Sequence, residues 1–169
     1  MNIQIRNETA FDLKAIEAVT VLAFLNAEHT SHTEQFIVNA LRDSGSLSVS
    51  LVAEVEGGEI VGHVAASMVS ITSEPSGWYG LGPVSVVPER QGQGIGTLLV
   101  NQALARLRGM GGSGCVVLGD PNYYSRFGFK PEPQLVLSNV PPEYFQAVSF
   151  AGSVPHGKVS YHRAFDAAA

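Results

Sequence analysis

Three glycines at alternate positions, Gly92, Gly94 and Gly96, interrupt an apolar run that begins at Leu81, passes Pro88 and resumes at Ile95. A strand that turns into a helix in this way leaves the first amide N–H groups of the helix without partners. Those groups, with the positive end of the helix dipole, form an anion site. Glycine suits the turn because a missing Cβ permits unusual φ values and lets amide nitrogens approach phosphate oxygens. The spacing excludes two nucleotide motifs. No lysine lies near the loop to complete Gly-x-x-x-x-Gly-Lys-Ser/Thr, and Gly92-Gln-Gly94-Ile-Gly96 runs on into Thr97, Leu98 and Leu99 where Gly-x-Gly-x-x-Gly would need a further glycine. Glycines alone are equally consistent with a tight strand-to-helix turn that binds nothing.

Gln91-Gly92-Gln93-Gly94-Ile95-Gly96 resembles motif A of the GNAT superfamily of acyl-CoA-dependent N-acyltransferases, Gln/Arg-x-x-Gly-x-Gly/Ala, and Val84-Ser85-Val86-Val87-Pro88-Glu89 resembles the strand that precedes it. Downstream, Tyr123-Tyr124-Ser125-Arg126-Phe127-Gly128-Phe129 is similar to the family's Phe/Tyr-Tyr-x-x-x-Gly-Phe segment. The likeness is specific between Leu81 and Phe129 and extends by element order over roughly residues 1 to 130. It implies an α/β (α+β) fold: a mixed, mostly antiparallel sheet of about six or seven strands, flanked by about four helices, with splayed central strands. It also implies acetyl-CoA as cosubstrate and an amine-bearing small molecule, peptide or protein as acceptor.

On that resemblance the pyrophosphate of the cosubstrate lies over Gly92, Gln93, Gly94, Ile95, Gly96 and Thr97, beside Gln91, with the main chain of Val84, Ser85 and Val86 along the pantetheine arm. Arg126 is a candidate phosphate ligand or a surface ion-pair partner. Transfer is direct: a neutral amine attacks the thioester carbonyl, an oxyanion forms, and the thiolate leaves. A lysine-like amine, with pKa about 10, needs a base or a water leading to one. Backbone N–H groups of the Val84–Val86 segment are candidates for steadying the oxyanion. A neutral tyrosine suits protonation of the thiolate. Tyr124, four residues before Gly128, is the matching tyrosine. Tyr123 is the alternative, since neighbours on a helix point about 100° apart and only one can face the thioester.

The family often carries an asparagine on the turn before this tyrosine; here the stretch reads Leu118-Gly-Asp-Pro-Asn-Tyr123. Asp120 is thus a candidate base, although Asp-Pro commonly forms a turn. Glu28, His29, His32, His63 and Glu74 are other candidates that spacing does not separate. His29 and His32 beside Glu28 lack the third ligand or His-Glu-x-x-His frame of a zinc site, and no metal is expected.

Positioning these groups requires a βαβ unit. A strand from Trp78 to Val87 contains Gly80, Gly82 and Pro83, so it is expected to bulge or splay, since proline cannot donate to a ladder. The helix after the glycine loop carries Ile95, Leu98, Leu99, Ala103, Leu104 and Leu107 on its inner side, and Gly109 stops it. Strand Cys115 to Leu118 and a short helix around Tyr123 to Phe127 follow.

Upstream, Ile3-Gln-Ile5-Arg6 reads as a strand. Thr9-x-x-Asp12 then caps a helix with Phe11, Ala15, Val19, Leu22 and Ala23 inward. Ser31-x-x-Glu34 is a second capping box before Phe36, Ile37, Ala40 and Leu41, and strands from Leu47 to Ala53 and from Ile60 to Ile71 form a hairpin. Leu135 to Leu137, a turn at Pro141 to Tyr144, and Val159 to Phe165 are expected to supply one or two closing strands.

The 169 residues, 45% hydrophobic and 15% charged, suit a single domain over 1–169. No apolar stretch is long enough to span a membrane, and Met1 to Arg6 lacks the features of a secretory signal, so a cytoplasmic protein is expected. The net charge of −5 argues against nucleic acid. Residues 1–80 carry ten acids and three bases (−7), and residues 81–169 five acids and seven bases (+2), a division that suits a cationic acceptor and an anionic cosubstrate. Cys115, the only cysteine, sits in an apolar run where burial is expected. A homodimer through the C-terminal strands is compatible with the sequence.

Two other function classes compete with an N-acetyltransferase. One is a non-catalytic acyl-CoA-binding module. The other is a hydrolase, for which Gly111-Gly-Ser113-Gly-Cys115 lacks the last glycine of a nucleophile elbow.

Overall fold

The computed structural model describes residues 2–28 and 30–169. Strand β1 (Ile3–Asn7), helices α1 (Leu13–Phe24) and α2 (Glu34–Asp43), and strands β2 (Val49–Val55), β3 (Ile60–Met68), β4 (Ser70–Ile71) and β5 (Trp78–Val86) come first. Helix α3 (Ile95–Gly109), strand β6 (Gly114–Leu118), helix α4 (Pro121–Tyr124) and strands β7 (Lys130–Pro131), β8 (Leu135–Val136), β9 (Phe145–Ser149) and β10 (Gly157–Ser160) follow. The main sheet has seven strands in the order β1-β2-β3-β5-β6-β9-β7, and β4-β10-β8 form a small second sheet. Within the main sheet only β5 and β6 run parallel, joined by the α3 crossover, so the expected mixed, mostly antiparallel sheet is observed.

Packing follows the strand alternation. On β3, Gly62 faces α3: a Cβ placed there would lie 2.9 Å from Leu99. His63 therefore faces the other side of the sheet. Helix α3 buries Ile95, Leu99, Val100, Ala103, Leu104 and Leu107, while Leu98, expected inside, is 45% exposed.

Helix α1 differs from its expected phase. A 3-10 turn over Ala10–Asp12 precedes it. Each residue of such a turn advances about 120° rather than 100°, which rotates Phe11 outward, 97% exposed, and aligns Asp12, Ile16, Val19 and Thr20 with the core. Leu22 likewise faces outward. The Thr9–Asp12 box forms, the Thr9 N–H donating to Asp12 Oδ2 at 2.7 Å. The second box does not form as expected: α2 starts at Glu34 itself, and the Thr30 hydroxyl donates to Glu34 Oε2 at 2.6 Å.

Arg6 clamps the start of this region, donating from Nη1 and Nη2 to the two oxygens of buried Asp12 at 2.8 and 3.0 Å and from Nη2 to Glu54 Oε2 at 2.7 Å. The guanidinium outweighs burial and holds the Asp12 pKa down to about 2. Asp12→Asn is expected to lower stability by about 2 kcal/mol near neutral pH, measured by urea denaturation, since charged hydrogen bonds are lost inside the fold. The difference from wild type shrinks as pH falls from about 4 toward 2, where the native carboxyl itself takes up a proton.

Two of the expected closing strands are present as β8 and β10, but the sequence pattern missed β9. β9 completes the main sheet, pairing antiparallel with β6 from Leu118↔Phe145 to Gly114↔Ser149. Its second residue is the buried polar Gln146, whose side-chain amide donates to the Gly119 carbonyl at 3.1 Å, which interrupts the apolar signature of the strand. The Val159–Phe165 stretch is strand only to Ser160, and a 3-10 turn over Arg163–Asp166 follows.

Candidate active site

The central strands part where the glycines and proline of β5 predict it. β5 pairs with β6 only at Trp78↔Gly114, Tyr79↔Cys115 and Gly80↔Val116. On its other edge Leu81 pairs with Ala66 and Val84 with Val64, so Gly82 and Pro83 form a bulge. Beyond it the Val87 N–H bonds the Val61 carbonyl at 2.9 Å. Backbone groups alternate along a strand, so Ser85 turns its main chain toward β3, while Val84 and Val86 turn theirs into the gap left by β6.

The glycine loop closes the end of this gap. Gly92 and Gly94 have φ of +76° and +86°, in the left-handed region that favours glycine, and Gly94 caps α3 with no side-chain hydrogen bond. The Leu98 N–H is the first to reach the loop, bonding the Gly94 carbonyl at 3.1 Å. Among the described residues, no hydrogen bond engages the amides from Gly92 to Thr97. The Gln91 N–H, expected in the same row, instead bonds the Pro88 carbonyl at 3.3 Å. The glutamine side chains brace the loop: Gln91 Nε2 donates to the Val86 carbonyl at 2.9 Å and Gln93 Nε2 to the Glu89 carbonyl at 3.2 Å.

These elements enclose a cleft of about 400 Å³ lined by Val84, Val86, Arg90, Gln91, Gly92, Gly94, Ile95, Gly96, Thr97, Tyr123, Tyr124 and Arg126. Of the residues named from sequence, Ser85 and Gln93 lie outside this lining. Ser85 is buried on the opposite face in register with His63. Arg90 was missed, and its signal was a cation one residue before the glycine motif. The walls join the positive end of α3 to two arginines, an arrangement suited to a phosphorylated ligand.

The two tyrosines part as adjacent helix residues do, with ring planes at 87° and centroids 5.0 Å apart. Tyr123 leans over the loop: a Cβ on Gly96 would lie 2.9 Å from its hydroxyl. Arg126 packs on its ring at 4.4 Å and donates Nε–H to its carbonyl at 2.8 Å. Tyr124 turns inward against Phe129 and over Gly119, where a Cβ would lie 2.4 Å from its ring. Burial raises the Tyr124 hydroxyl pKa, with smaller contributions from Tyr123 and Cys115, so this phenol is neutral at physiological pH.

Other candidates serve the fold. Asp120 Oδ1 accepts the Asn122 N–H at 2.9 Å as the cap of α4. Cys115 is fully buried and its thiol pKa is raised by desolvation, which disfavours a nucleophile. His63 is fully buried, with Nε2 2.8 Å from Ser50 Oγ. Glu28, His32 and Glu74 lie outside the cleft lining, and His29 lies outside the described residues. Among the described residues no group of three or more His, Cys, Asp or Glu side chains could hold a metal, and no helix is long and apolar enough to cross a membrane.

Residues 46–131 match the family model described as "Acetyltransferase (GNAT) domain". The N-acetyltransferase YhbS of Escherichia coli K12 is 38% identical over 115 residues, 68% of this chain and 69% of YhbS. A GNAT family acetyltransferase from Brucella melitensis, solved in complex with acetyl-CoA, superposes with a TM-score of 0.87 at 47% identity, covering 98% of this chain and 99% of that one. The crystal structure of E. coli YhbS in complex with CoA has the same TM-score at 34% identity, covering 98% of this chain and 93% of that chain. The parted strands, the open row of amides and these matches agree that the chain belongs to the GNAT family of acetyltransferases.

Proposed function

We propose that the protein transfers an acetyl group from acetyl-CoA to a primary amine by direct attack, with Tyr124 as general acid. The observation that carries this reading is the unclaimed run of amides from Gly92 to Thr97 at the head of a cleft whose floor holds a neutral tyrosine. The Brucella relative bound to acetyl-CoA and E. coli YhbS bound to CoA support the choice of ligand.

In this reading the amides of the loop receive the pyrophosphate, with Arg90 and Arg126 beside it, and the pantetheine arm follows the gap edge of β5. Val84 offers its N–H and C=O there. Val86 offers its N–H, its carbonyl being held by Gln91. The amine nitrogen bonds to the thioester carbonyl carbon, and the tetrahedral oxyanion is steadied by gap-facing amides of β5. The C–S bond then breaks, Tyr124 gives its proton to the sulfur, and the proton shed by nitrogen passes to water and restores the phenol. The products are an N-acetylated amine and free coenzyme A.

The test is thiol release from acetyl-CoA against a panel of primary amines, alongside calorimetry with CoA. Saturable CoA binding with no thiol release for any amine supports a non-catalytic binding module instead; absence of CoA binding overturns both. Gly94→Ala is expected to weaken CoA about tenfold by calorimetry. Its methyl group would hold an L residue at φ +86°, costing about 1–2 kcal/mol at the loop.

A further inference from the structure

Tyr161 reaches the parting of β5 and β6 from the face opposite the cleft. Its ring lies on Gly80, the last β5 residue paired with β6, so closely that a Cβ there would sit 2.3 Å from Cε1. Only glycine at position 80 lets the ring occupy that place. The aromatic packs among Val69, Trp78 and Val116 and against Phe165, with ring centroids 4.9 Å apart.

The chain on either side is fastened. Val159 pairs with Ile71 on β4. His162 Nδ1 accepts the Ala164 N–H at 2.9 Å, which places the proton of a neutral ring on Nε2, 3.1 Å from Ser46 Oγ. Ala164 is buried against Ile37 and Leu41 of α2.

The fixed phenol makes no hydrogen bond among the described residues, and its oxygen is not sealed from solvent. Burial raises its pKa, with smaller contributions from Cys115 and Tyr124, so this phenol is neutral at physiological pH. A neutral tyrosine offers an acceptor oxygen as well as a donor.

We infer that Tyr161 is a positioning residue for the acceptor: its oxygen accepts an N–H from the neutral amine and aims the nitrogen lone pair through the gap at the thioester carbonyl. The inference rests on the acetyl-transfer reading and adds where the amine enters. Uncharged neighbours suit this task, since an apolar surrounding disfavours the ammonium form and favours the nucleophilic one.

The test compares Tyr161→Phe with wild type, using the best amine of the panel. The amine KM is expected to rise about five- to tenfold, the loss of one hydrogen bond, while the acetyl-CoA KM stays within about twofold and Tm is retained because the ring remains. An unchanged amine KM, or equal rises for both substrates, overturns the inference. A second readout needs no turnover. In protein labelled at tyrosine ¹³Cζ and saturated with CoA, n-butylamine is expected to shift the resonance that Tyr161→Phe deletes; an unmoved resonance overturns the inference. Wild type that binds CoA without acetylating any amine counts against the catalytic reading, and the labelled-tyrosine measurement still decides whether an amine meets Tyr161.

Discussion

Tyr124→Phe is expected to reduce kcat by at least about 100-fold while leaving CoA affinity within about twofold, measured as thiol release at saturating acetyl-CoA and by calorimetry. General acid catalysis contributes about 10²- to 10⁴-fold, and a thiol is acidic enough to leave with partial help, which places the effect toward the lower end. The ring contacts with Phe127, Phe129 and Gly119 survive the substitution, so the fold and cleft are retained. Only the transferable proton is removed. Tyr123→Phe is expected to spare kcat and act on CoA binding, because the Tyr123 hydroxyl lies over Gly96 at the start of α3. Activity within threefold of wild type in Tyr124→Phe, with a large loss in Tyr123→Phe, would exchange the two roles.

The division of labour between these neighbours was not legible from sequence, because their spacing only requires that one faces away. What separates the two rings is Gly119: the ring of Tyr124 occupies the place a side chain would take there. The parted strand was legible, since Gly80, Gly82 and Pro83 cannot all sit in a regular central strand, and the bulge falls between Leu81 and Val84. Gly80 had a second role that β-propensity cannot express, a seat for the ring of Tyr161, which is distant in sequence. The glycine loop was also legible, its amides standing open from Gly92 to Thr97 among the described residues, while the Gln91 N–H goes to the Pro88 carbonyl. The bracing of the loop by the Gln91 and Gln93 side chains, each bonded to a main-chain carbonyl, was not legible.

Errors cluster where apolar periodicity carries no signal. β9 hides behind Gln146, a buried polar residue whose side-chain N–H donates to a carbonyl of the neighbouring turn. Phe11 looked like core because the periodicity assumed an α-helix through a 3-10 turn. Sequence also singled out His63 only as one base among several. Its surroundings give it a different importance.

Stability is expected to fall as pH drops from 6.5 to about 4, by on the order of 3 kcal/mol in total, because His63 resists protonation in the fold. Burial pushes its pKa down from 6.5 to about 4; Glu8 opposes the shift and Arg42 adds to it. Above pH 6.5 the imidazole is neutral in both states. Between 6.5 and 4 the unfolded chain takes up a proton that the native state refuses, so each pH unit costs about 1.4 kcal/mol; below 4 both forms are protonated and the loss levels off. The ring cannot readily escape. Ser50 Oγ contacts His63 Nε2 and also donates to Glu8 Oε1, while Arg42 grips Glu8 through Nε and Nη2, each at 2.8 Å. Burial raises the Glu8 pKa, but the hydrogen bonds from Arg42 and Ser50 outweigh it and hold the carboxyl below 4.5, so its loss begins only beneath that value as pH falls. The two residues are thereby separable by pH. Thermal denaturation of wild type at pH 7 and pH 4 is expected to differ by at least about 6–12 °C, given 2–4 °C per kcal/mol for a chain of this size. His63→Gln retains a group able to bond Ser50 but does not titrate, so its Tm is expected to be lower at pH 7 and nearly flat from 6.5 to 4.5. A wild-type Tm equally flat over that interval would mean that the native state accepts the proton and that His63 is not held neutral by the fold.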